Sequence, residues 1–179
     1  MHDAGQDQRG YSLLELALVI ILLGVVAFVV VPRFVGRSSF HMTGYYDQVA
    51  SALDYARSVA VASGCPVEVD LRSGGFSVKQ PGGGIPSGKL CPDPASGYTR
   101  NLPNPATGDA FGISTPSGVS FTSGTGSPLC FGANGQLLAD CSRPGGATAA
   151  GDRTVTLSAP GGASLSITVY ASTGYAARG

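Results

Sequence analysis

Few residues of this chain have the types and spacing that catalysis or metal binding requires. His2 and His41 each stand alone, and no G-x-S-x-G, P-loop or C-x-x-C motif occurs. A metal site would need clustered ligands. Glu68 and Asp70 lie two residues apart in an alternating segment, share a face with Arg72, and indicate a solvated charged surface. These patterns predict a protein that is not an enzyme and that binds no metal or cofactor.

The cysteines could form disulfide bonds or remain as reduced thiols. All four, Cys65, Cys91, Cys130 and Cys141, lie downstream of an apolar N-terminal segment. An even number in a loop-rich region favours disulfides in an oxidising compartment. Four cysteines allow three pairings. Proximity in the sequence motivates the hypothesis that Cys65 pairs with Cys91 and Cys130 with Cys141.

Composition limits the classes of partner. The 179 residues suit one soluble domain with an appendage, and the formal net charge is +0 with 12% charged residues. There is no basic patch of the kind that binds nucleic acid, so no nucleic-acid partner is expected. With 27 glycines and 12 prolines, much of the chain should form turns and loops.

The stretch from Tyr11 to Val31 is apolar apart from Glu15. As a helix it would span roughly 30 Å, about one hydrocarbon thickness. A cleaved signal peptide would have a shorter apolar core, about 7–15 residues, and a small-x-small cleavage site. A plain signal anchor would not need Glu15, since an acid deep in such a helix costs about 2.5–3.5 kcal/mol. Near the helix end Glu15 could instead reach the interface, which lowers that cost.

The residues around Glu15 form a recognisable pattern. The run "GYSLLE", Gly10 to Glu15, resembles at all six places the class III signal of type IV prepilins, G-[FYM]-[ST]-L-[IL]-E. The resemblance implies that a prepilin peptidase cuts between Gly10 and Tyr11 and methylates the new Tyr11 amine. It also implies that the apolar helix stays in the mature protein. Glu15 would then meet the Tyr11 amine of a neighbouring subunit and direct assembly.

Two further residues fit this resemblance. Pro32 lacks an amide donor and should kink or end the apolar helix, and Gly24 weakens helix by roughly 1 kcal/mol relative to alanine. In pilins a glycine and a proline at matching places bracket a stretch that can lose helicity in the filament. The alternative is a glycine at a helix contact and a proline that marks the membrane exit.

Beyond the apolar segment the pattern predicts a second helical stretch and then strands. Apolar residues recur at helical spacing from Tyr45 or Tyr46 through Val49 and Leu53 to Ala60, and Gly64 should end the helix. Residues 81–110 read as a long exposed Gly/Pro loop. "GANGQ" reads as a hairpin turn. Strands are predicted in "CPVEVDL", "FSVKQ", "GVSFTS", "PLCFG", "GQLLA", "RTVTLSA", "SLSITVYA" and "YAAR".

This layout resembles the GspH/FimT class of minor pilins and pseudopilins. The segments "LDYARSVAVASGCPVEVDL" and "SLSITVYASTGYAAR" carry the resemblance, and the cysteines are similar to those of MshC-like minor pilins of MSHA pili. It implies an α+β, pilin-like fold with a long N-terminal helix packed on a small, mainly antiparallel β domain. The expected divisions are a leader (1–10), a transmembrane assembly helix (11–32), an amphipathic continuation (33–64) and a periplasmic domain (65–179).

The resemblance favours a structural subunit, and three possibilities for function are left open. The first is a minor pilin that primes or joins an MSHA-like type IV pilus, and the second is a pseudopilin of a type II secretion system. The third is a membrane-anchored periplasmic binding module that does not assemble. In the first two, the partners are prepilin peptidase, other pilin subunits, the inner-membrane platform and the lipid bilayer. The expected location is the bacterial inner membrane, crossed once, with the C-terminal domain in the periplasm.

Overall fold

A computed structural model describes residues 13–35, 37–143 and 146–179, with the side chains of these residues except 27–40. The chain divides into two compact units, of which the first ends at Arg37 and the second spans Ser38–Gly179. The proposed leader and its cleavage site between Gly10 and Tyr11 lie outside the described residues.

Helix α1 spans Leu13–Val35 and contains both predicted helix-breaking residues. Of the two effects predicted for Pro32, ending the helix does not occur in this structure, since α1 passes through Gly24 and Pro32, and a kink stays a prediction. A proline within a helix removes one backbone hydrogen bond and costs about 3 kcal/mol, which kinks a helix without always ending it. The loss of helicity in a filament stays a prediction.

Helix α2 spans Arg37–Ser63 and buries the apolar stripe that the helical spacing predicted. It is followed by Gly64, whose positive φ of 66° suits the C-terminal position at which glycine ends helices. Ser63 is tied to the sheet, because the Gln80 side-chain amide donates to its hydroxyl (3.2 Å). The buried residues of this helix are Met42, Tyr45, Tyr46, Val49, Ala50, Ala52, Leu53, Ala56 and Ala60.

In the described part of the chain, nine strands form two antiparallel sheets. In the first sheet the order is β3-β2-β1-β6, with β4 also pairing with β2, and in the second it is β5-β7-β8-β9. The strands are β1 Val67–Arg72, β2 Gly75–Gln80, β3 Arg100–Asn101, β4 Gly112–Ser114, β5 Ser120–Ser123, β6 Leu129–Phe131, β7 Arg153–Ser158, β8 Ser164–Val169 and β9 Ala176–Arg178. The α+β arrangement, with helices followed by antiparallel strands, agrees with the prediction.

The core lies where α2 packs against both sheets. The Tyr45 ring lies 5.9 Å, between centroids, from Phe76 of the first sheet and 5.9 Å from Phe121 of the second. The Tyr46 hydroxyl donates to the Ser166 carbonyl oxygen of β8 (3.0 Å). Aromatic contacts of this kind add about 0.5–1.5 kcal/mol each beyond area burial. One helix therefore joins the two sheets into a single domain.

The segment 81–110 differs from the exposed loop that its composition predicted. It contains a 3₁₀ helix, Pro94–Ser96, and the short strand β3. Leu102 is buried, and its amide donates to the Val78 carbonyl (3.0 Å). "GQLLA" is also not a strand, since its leucines form only isolated bridges. "GANGQ" is a turn as predicted, closed by the Gly132 amide donating to the Gln136 carbonyl (2.9 Å).

Two disulfides hold the loops of the β domain. Cys65 pairs with Cys91 and Cys130 with Cys141, the same pairing that sequence proximity suggested. The first ties the start of the segment 81–110 to the end of α2. The second joins β6 to the turn that follows Leu138. Two covalent links thus compensate for the scarcity of regular structure in these loops.

Replacing Gly174 with alanine should lower the free energy of unfolding by at least about 2 kcal/mol. Gly174 has a φ of 63°, and an added Cβ would collide with the Gly135 carbonyl oxygen. Urea unfolding of the detergent-solubilised chain measures the effect. Gly84→Ala is the control, because no atom lies within 4 Å of its added Cβ, and it should change stability by less than about 0.5 kcal/mol. Equal stabilities of the two variants would contradict the prediction.

Candidate assembly surface

The candidate site is the apolar surface of α1, whose side chains are described from Leu13 to Val26. Every large apolar side chain in this range is between 46% and 85% exposed. Proteins that remain monomeric in water rarely expose contiguous apolar surface of this extent. In folded proteins, apolar surface of this extent is usually covered by lipid or by other protein. The exposed residues are Leu13, Leu14, Leu16, Leu18, Val19, Ile20, Ile21, Leu22, Leu23, Val25 and Val26.

Glu15 is the one charged residue between Leu13 and Val26. It lies in the first turn of α1 and is exposed. There its carboxylate interacts favourably with the positive end of the helix dipole, by about 0.3–1 kcal/mol at an exposed site. In apolar surroundings that contribution is far smaller than the cost of an unpaired charge, so a covered Glu15 requires a cation beside it.

The structure describes three of the predicted assembly residues and leaves two outside the described range. Glu15 and Gly24 lie on the exposed part of α1, and Pro32 lies further along the same helix. Gly10 and Tyr11 fall outside the described residues, so the expected partner of Glu15 is not described. Within the residues that the structure describes, we find no helix whose length and apolar character would allow it to cross a membrane.

Two ion pairs involve arginines of the β strands. Asp70 accepts from the Arg72 guanidinium at 2.7 Å, on the face that the alternation of β1 predicted to be solvated. Arg178, near the chain's end, lies 3.2 Å from the Asp47 carboxylate of α2. Both arginines are thus engaged with carboxylates. The Arg178–Asp47 pair is exposed on both sides and contributes only about 0–1 kcal/mol. In the other pair Arg72 is exposed, whereas the Asp70 side chain is largely buried.

One group of potential metal ligands lies close together in the described part of the chain. It consists of Glu68, Cys130 and Cys141, whose ligand atoms lie within 4.8 Å of one another. Both sulfurs belong to the disulfide between these cysteines, so neither can act as a thiolate. The remaining carboxylate alone does not make a metal site. Beside it, the Tyr98 hydroxyl donates to the Cys141 carbonyl oxygen (2.8 Å), and burial raises the pKa of Tyr98.

The stability of the β domain should fall as pH rises through the titration of Glu68. Burial raises the pKa of Glu68, and the Asp70 carboxylate raises it further, against the lowering effects of Lys79 and Arg72. Between the ordinary and the raised pKa, the folded chain holds a proton that the unfolded chain has released. Folding is therefore favoured most at the acidic end of this window, and the advantage is lost as the folded protein ionises.

Urea unfolding between about pH 4 and about pH 7 tests this prediction. Glu68→Gln removes the titration, so the free energy of unfolding of the variant should rise relative to the original chain as pH increases. Parallel pH profiles for the two proteins would contradict the assignment.

Comparison with known proteins adds information about the fold. No family model matches the chain, and no curated protein matches it. Similar solved structures include a minor pilin and a minor pseudopilin. The type IV minor pilin FimU of Pseudomonas aeruginosa has a TM-score of 0.50 and 17% identity over 82% of this chain and 92% of that chain. The minor pseudopilin EpsH from the Type 2 Secretion System of Vibrio cholerae has a TM-score of 0.52 and 11% identity over 77% of this chain and 95% of that chain. The fold is pilin-like.

Proposed function

We propose that this chain is a minor pilin or pseudopilin, a non-catalytic subunit that joins or primes an inner-membrane-based filament. The observation that carries the proposal is the exposed apolar helix with one carboxylate, Glu15, attached to a chain of pilin-like fold. A filament core built from such helices would cover the apolar surface on all sides. Lipid would cover it before assembly.

The position of Glu15 supports a specific role in assembly. If prepilin peptidase removes residues 1–10, Tyr11 carries the new amine, four residues from Glu15. Within one chain the two groups are about one helical turn apart, and between chains Glu15 can pair with the Tyr11 amine of a neighbour. Since both charges lose water when apolar helices pack together, each strongly prefers the other as partner. A misplaced subunit would leave two unpaired charges, so the pair sets the register.

The location we propose is the bacterial inner membrane, crossed once, with residues 65–179 in the periplasm. Two disulfides support an oxidising compartment for this domain, because thiols in the cytosol are kept reduced. The partners are then prepilin peptidase, other pilin subunits and the membrane platform of the assembly machine.

Fractionation of the native cells tests the proposal. An epitope-tagged chain should appear in sheared or periplasmic filaments together with other pilins, at a small fraction of the major subunit. A chain that occurs only in the membrane fraction, with no filament partner after cross-linking, would contradict it and favour an anchored module that does not assemble.

A minor pilin of an MSHA-like pilus and a type II secretion pseudopilin predict different deletion phenotypes. Loss of a pilus subunit should reduce surface filaments and leave protein export intact. Loss of a secretion pseudopilin should leave exported enzymes in the periplasm. We favour the pilus subunit, on the cysteine pattern that resembles MshC-like pilins.

A further inference from the structure

The outer face of the second sheet is made of hydroxyl groups. In β7 and β8 the inward residues, such as Val155 and Ile167, are fully buried, and the outward residues between them are serine or threonine. Ser120 and Ser123 of β5 continue this surface. We call it the hydroxyl face, and it consists of Ser120, Ser123, Thr154, Thr156, Ser158, Ser164, Ser166 and Thr168.

Strand register arranges these hydroxyls in rows. Thr154 lies opposite Thr168, and Ser158 opposite Ser164. Hydroxyl oxygens lie 3.4 Å apart between Thr154 and Thr168 and 3.1 Å apart between Ser120 and Ser158. Neighbouring strands are about 4.8 Å apart, and alternate residues of one strand are about 6.7 Å apart. Each hydroxyl has one donor and two acceptor sites, so a hydroxyl that bonds to its neighbour can still bond outward.

Two tyrosines lie at one end of this face. Tyr170 and Tyr175 extend the β8–β9 pairing, since the Tyr170 amide donates to the Tyr175 carbonyl (3.0 Å). Their rings are parallel within 7°, with centroids 6.4 Å apart. The side chains are 43% and 56% exposed. Because 170/175 and 168/177 are alternate pairs of one ladder, the rings stand on the same side of the sheet as Thr168.

Hydrogen bonds from several parts of the domain fix the turn between the two tyrosines. The Arg57 guanidinium donates to the Thr173 carbonyl oxygen (2.6 Å), and the Gly174 amide donates to the Tyr170 carbonyl (2.7 Å). The Asp152 carboxylate accepts from the Ala171 amide (2.8 Å). A rigid aromatic pair loses little conformational entropy when a ligand binds, which is the property expected of a binding platform.

We propose that the hydroxyl face and the Tyr170–Tyr175 pair bind a chain of neutral polysaccharide. A sugar ring has apolar C–H faces that pack on aromatic rings and an equatorial set of hydroxyls that need donors and acceptors, and this surface offers both. Its outward strand positions in β5 and β7–β9 are uncharged among the described residues. An anionic polymer would find no cation there, whereas a neutral one requires no charge to be desolvated. The tyrosines provide most of the contact area, and the hydroxyl rows align the chain.

This proposal does not rest on the assembly role. A binding face could serve an anchored module as well as a filament subunit, and its test needs no filament. A failure of polysaccharide binding would therefore leave the assembly proposal unaffected.

Retention on polymers that are insoluble or immobilised on beads tests the proposal. The chain is kept in a zwitterionic detergent, because sugar-headed detergents would compete. The probes are cellulose, chitin and mannan, with alginate and DNA as anionic comparators. The chain should be retained by at least one neutral polymer and released by its soluble oligosaccharide. No retention on any of the three, or equal retention on alginate, would overturn the proposal. Cross-linking through residue 175 to a neighbouring subunit without polymer retention would assign the face to a protein contact and also overturn it.

Four substitutions test whether the polysaccharide binds on this face. Tyr175→Ala should weaken retention by about tenfold, since it removes a half-exposed ring that the ligand would cover. Tyr175→Phe keeps the ring and should retain binding within about twofold. Leu90→Ala removes an 86% exposed apolar side chain elsewhere and should change nothing, which controls for apolar adsorption. Thr154→Lys leaves the tyrosines intact, should weaken neutral-polymer binding severalfold, and should gain binding to alginate. Unchanged retention in both Tyr175→Ala and Thr154→Lys would overturn the proposal.

Discussion

Replacing Glu15 with valine should leave the chain in the membrane and remove it from the filament. Valine fits the apolar surface of α1, so insertion is not impaired. In the packed core, however, the Tyr11 amine of a neighbour would lose its partner. Removing one member of a buried ion pair costs about 3–5 kcal/mol. Incorporation should therefore fall by at least about a hundredfold.

The ratio of filament-bound to membrane-bound chain measures this effect, by quantitative immunoblotting of both fractions. Glu15→Asp keeps the charge but shortens its reach, so it should give an intermediate ratio. Asp54→Asn is a matched control, because Asp54 is an exposed acid of α2, outside the apolar surface. Incorporation of the valine variant at the original level would show that Glu15 is dispensable, which is the behaviour of an anchor that does not assemble.

Loss of both disulfides should bring the β domain close to unfolding. Cys65–Cys91 closes 26 residues and Cys130–Cys141 closes 11. In the chain-entropy treatment these contribute about 3.5 and about 3 kcal/mol, chiefly by restricting the unfolded chain. Their sum is comparable with the whole stability of many domains, about 5–15 kcal/mol. The bonds thus act in place of the regular structure that the Gly/Pro-rich loops lack.

Chemical denaturation followed by circular dichroism tests this for the chain in detergent. The double variants C65A/C91A and C130A/C141A should each remain folded, with the free energy of unfolding lowered by about 3 kcal/mol. The quadruple variant should lose cooperative unfolding or melt far below the original protein. Treatment of the original chain with dithiothreitol should reproduce the quadruple variant. A quadruple variant as stable as the original would contradict the role of the bonds.

Local patterns predict the longer elements of this fold, although they miss the short strands β3 and β4. The stripe from Tyr45 to Ala60 predicts the buried face of α2, because residues three and four apart share a helix face. The alternation of Val67, Val69 and Leu71 with charged residues predicts β1 for the corresponding reason in strands. Both patterns record which side of an element meets the core.

The irregular parts depend on contacts that no local pattern encodes. Leu102 and Phe111 are buried because each forms a backbone hydrogen bond with Val78 of β2. The Tyr170–Tyr175 pair follows from the register of β8 and β9, which the strand sequences alone do not specify. Helix α1 continues through Pro32 although the proline removes one backbone hydrogen bond of the helix. Sequence periodicity predicts none of these three features of the structure.

Sequence and structure agree that α1 carries an apolar surface with one acidic residue. The apolar run and Glu15 are evident in the sequence, and the structure leaves their described side chains uncovered. What covers them is the central question of function. The prepilin-like motif predicts a mature subunit that begins at Tyr11 and is covered by neighbouring subunits. The chemistry of the N-terminus therefore separates this account from its alternatives.

The most direct test is the intact mass and N-terminal sequence of the chain purified from membranes that contain its native prepilin peptidase. Our account predicts the loss of residues 1–10 and a mature N-terminus at methylated Tyr11. An N-terminus that still begins at Met1, or one that begins after Pro32, would contradict it. The first would leave a simple membrane anchor, and the second would leave a secreted domain without the assembly helix.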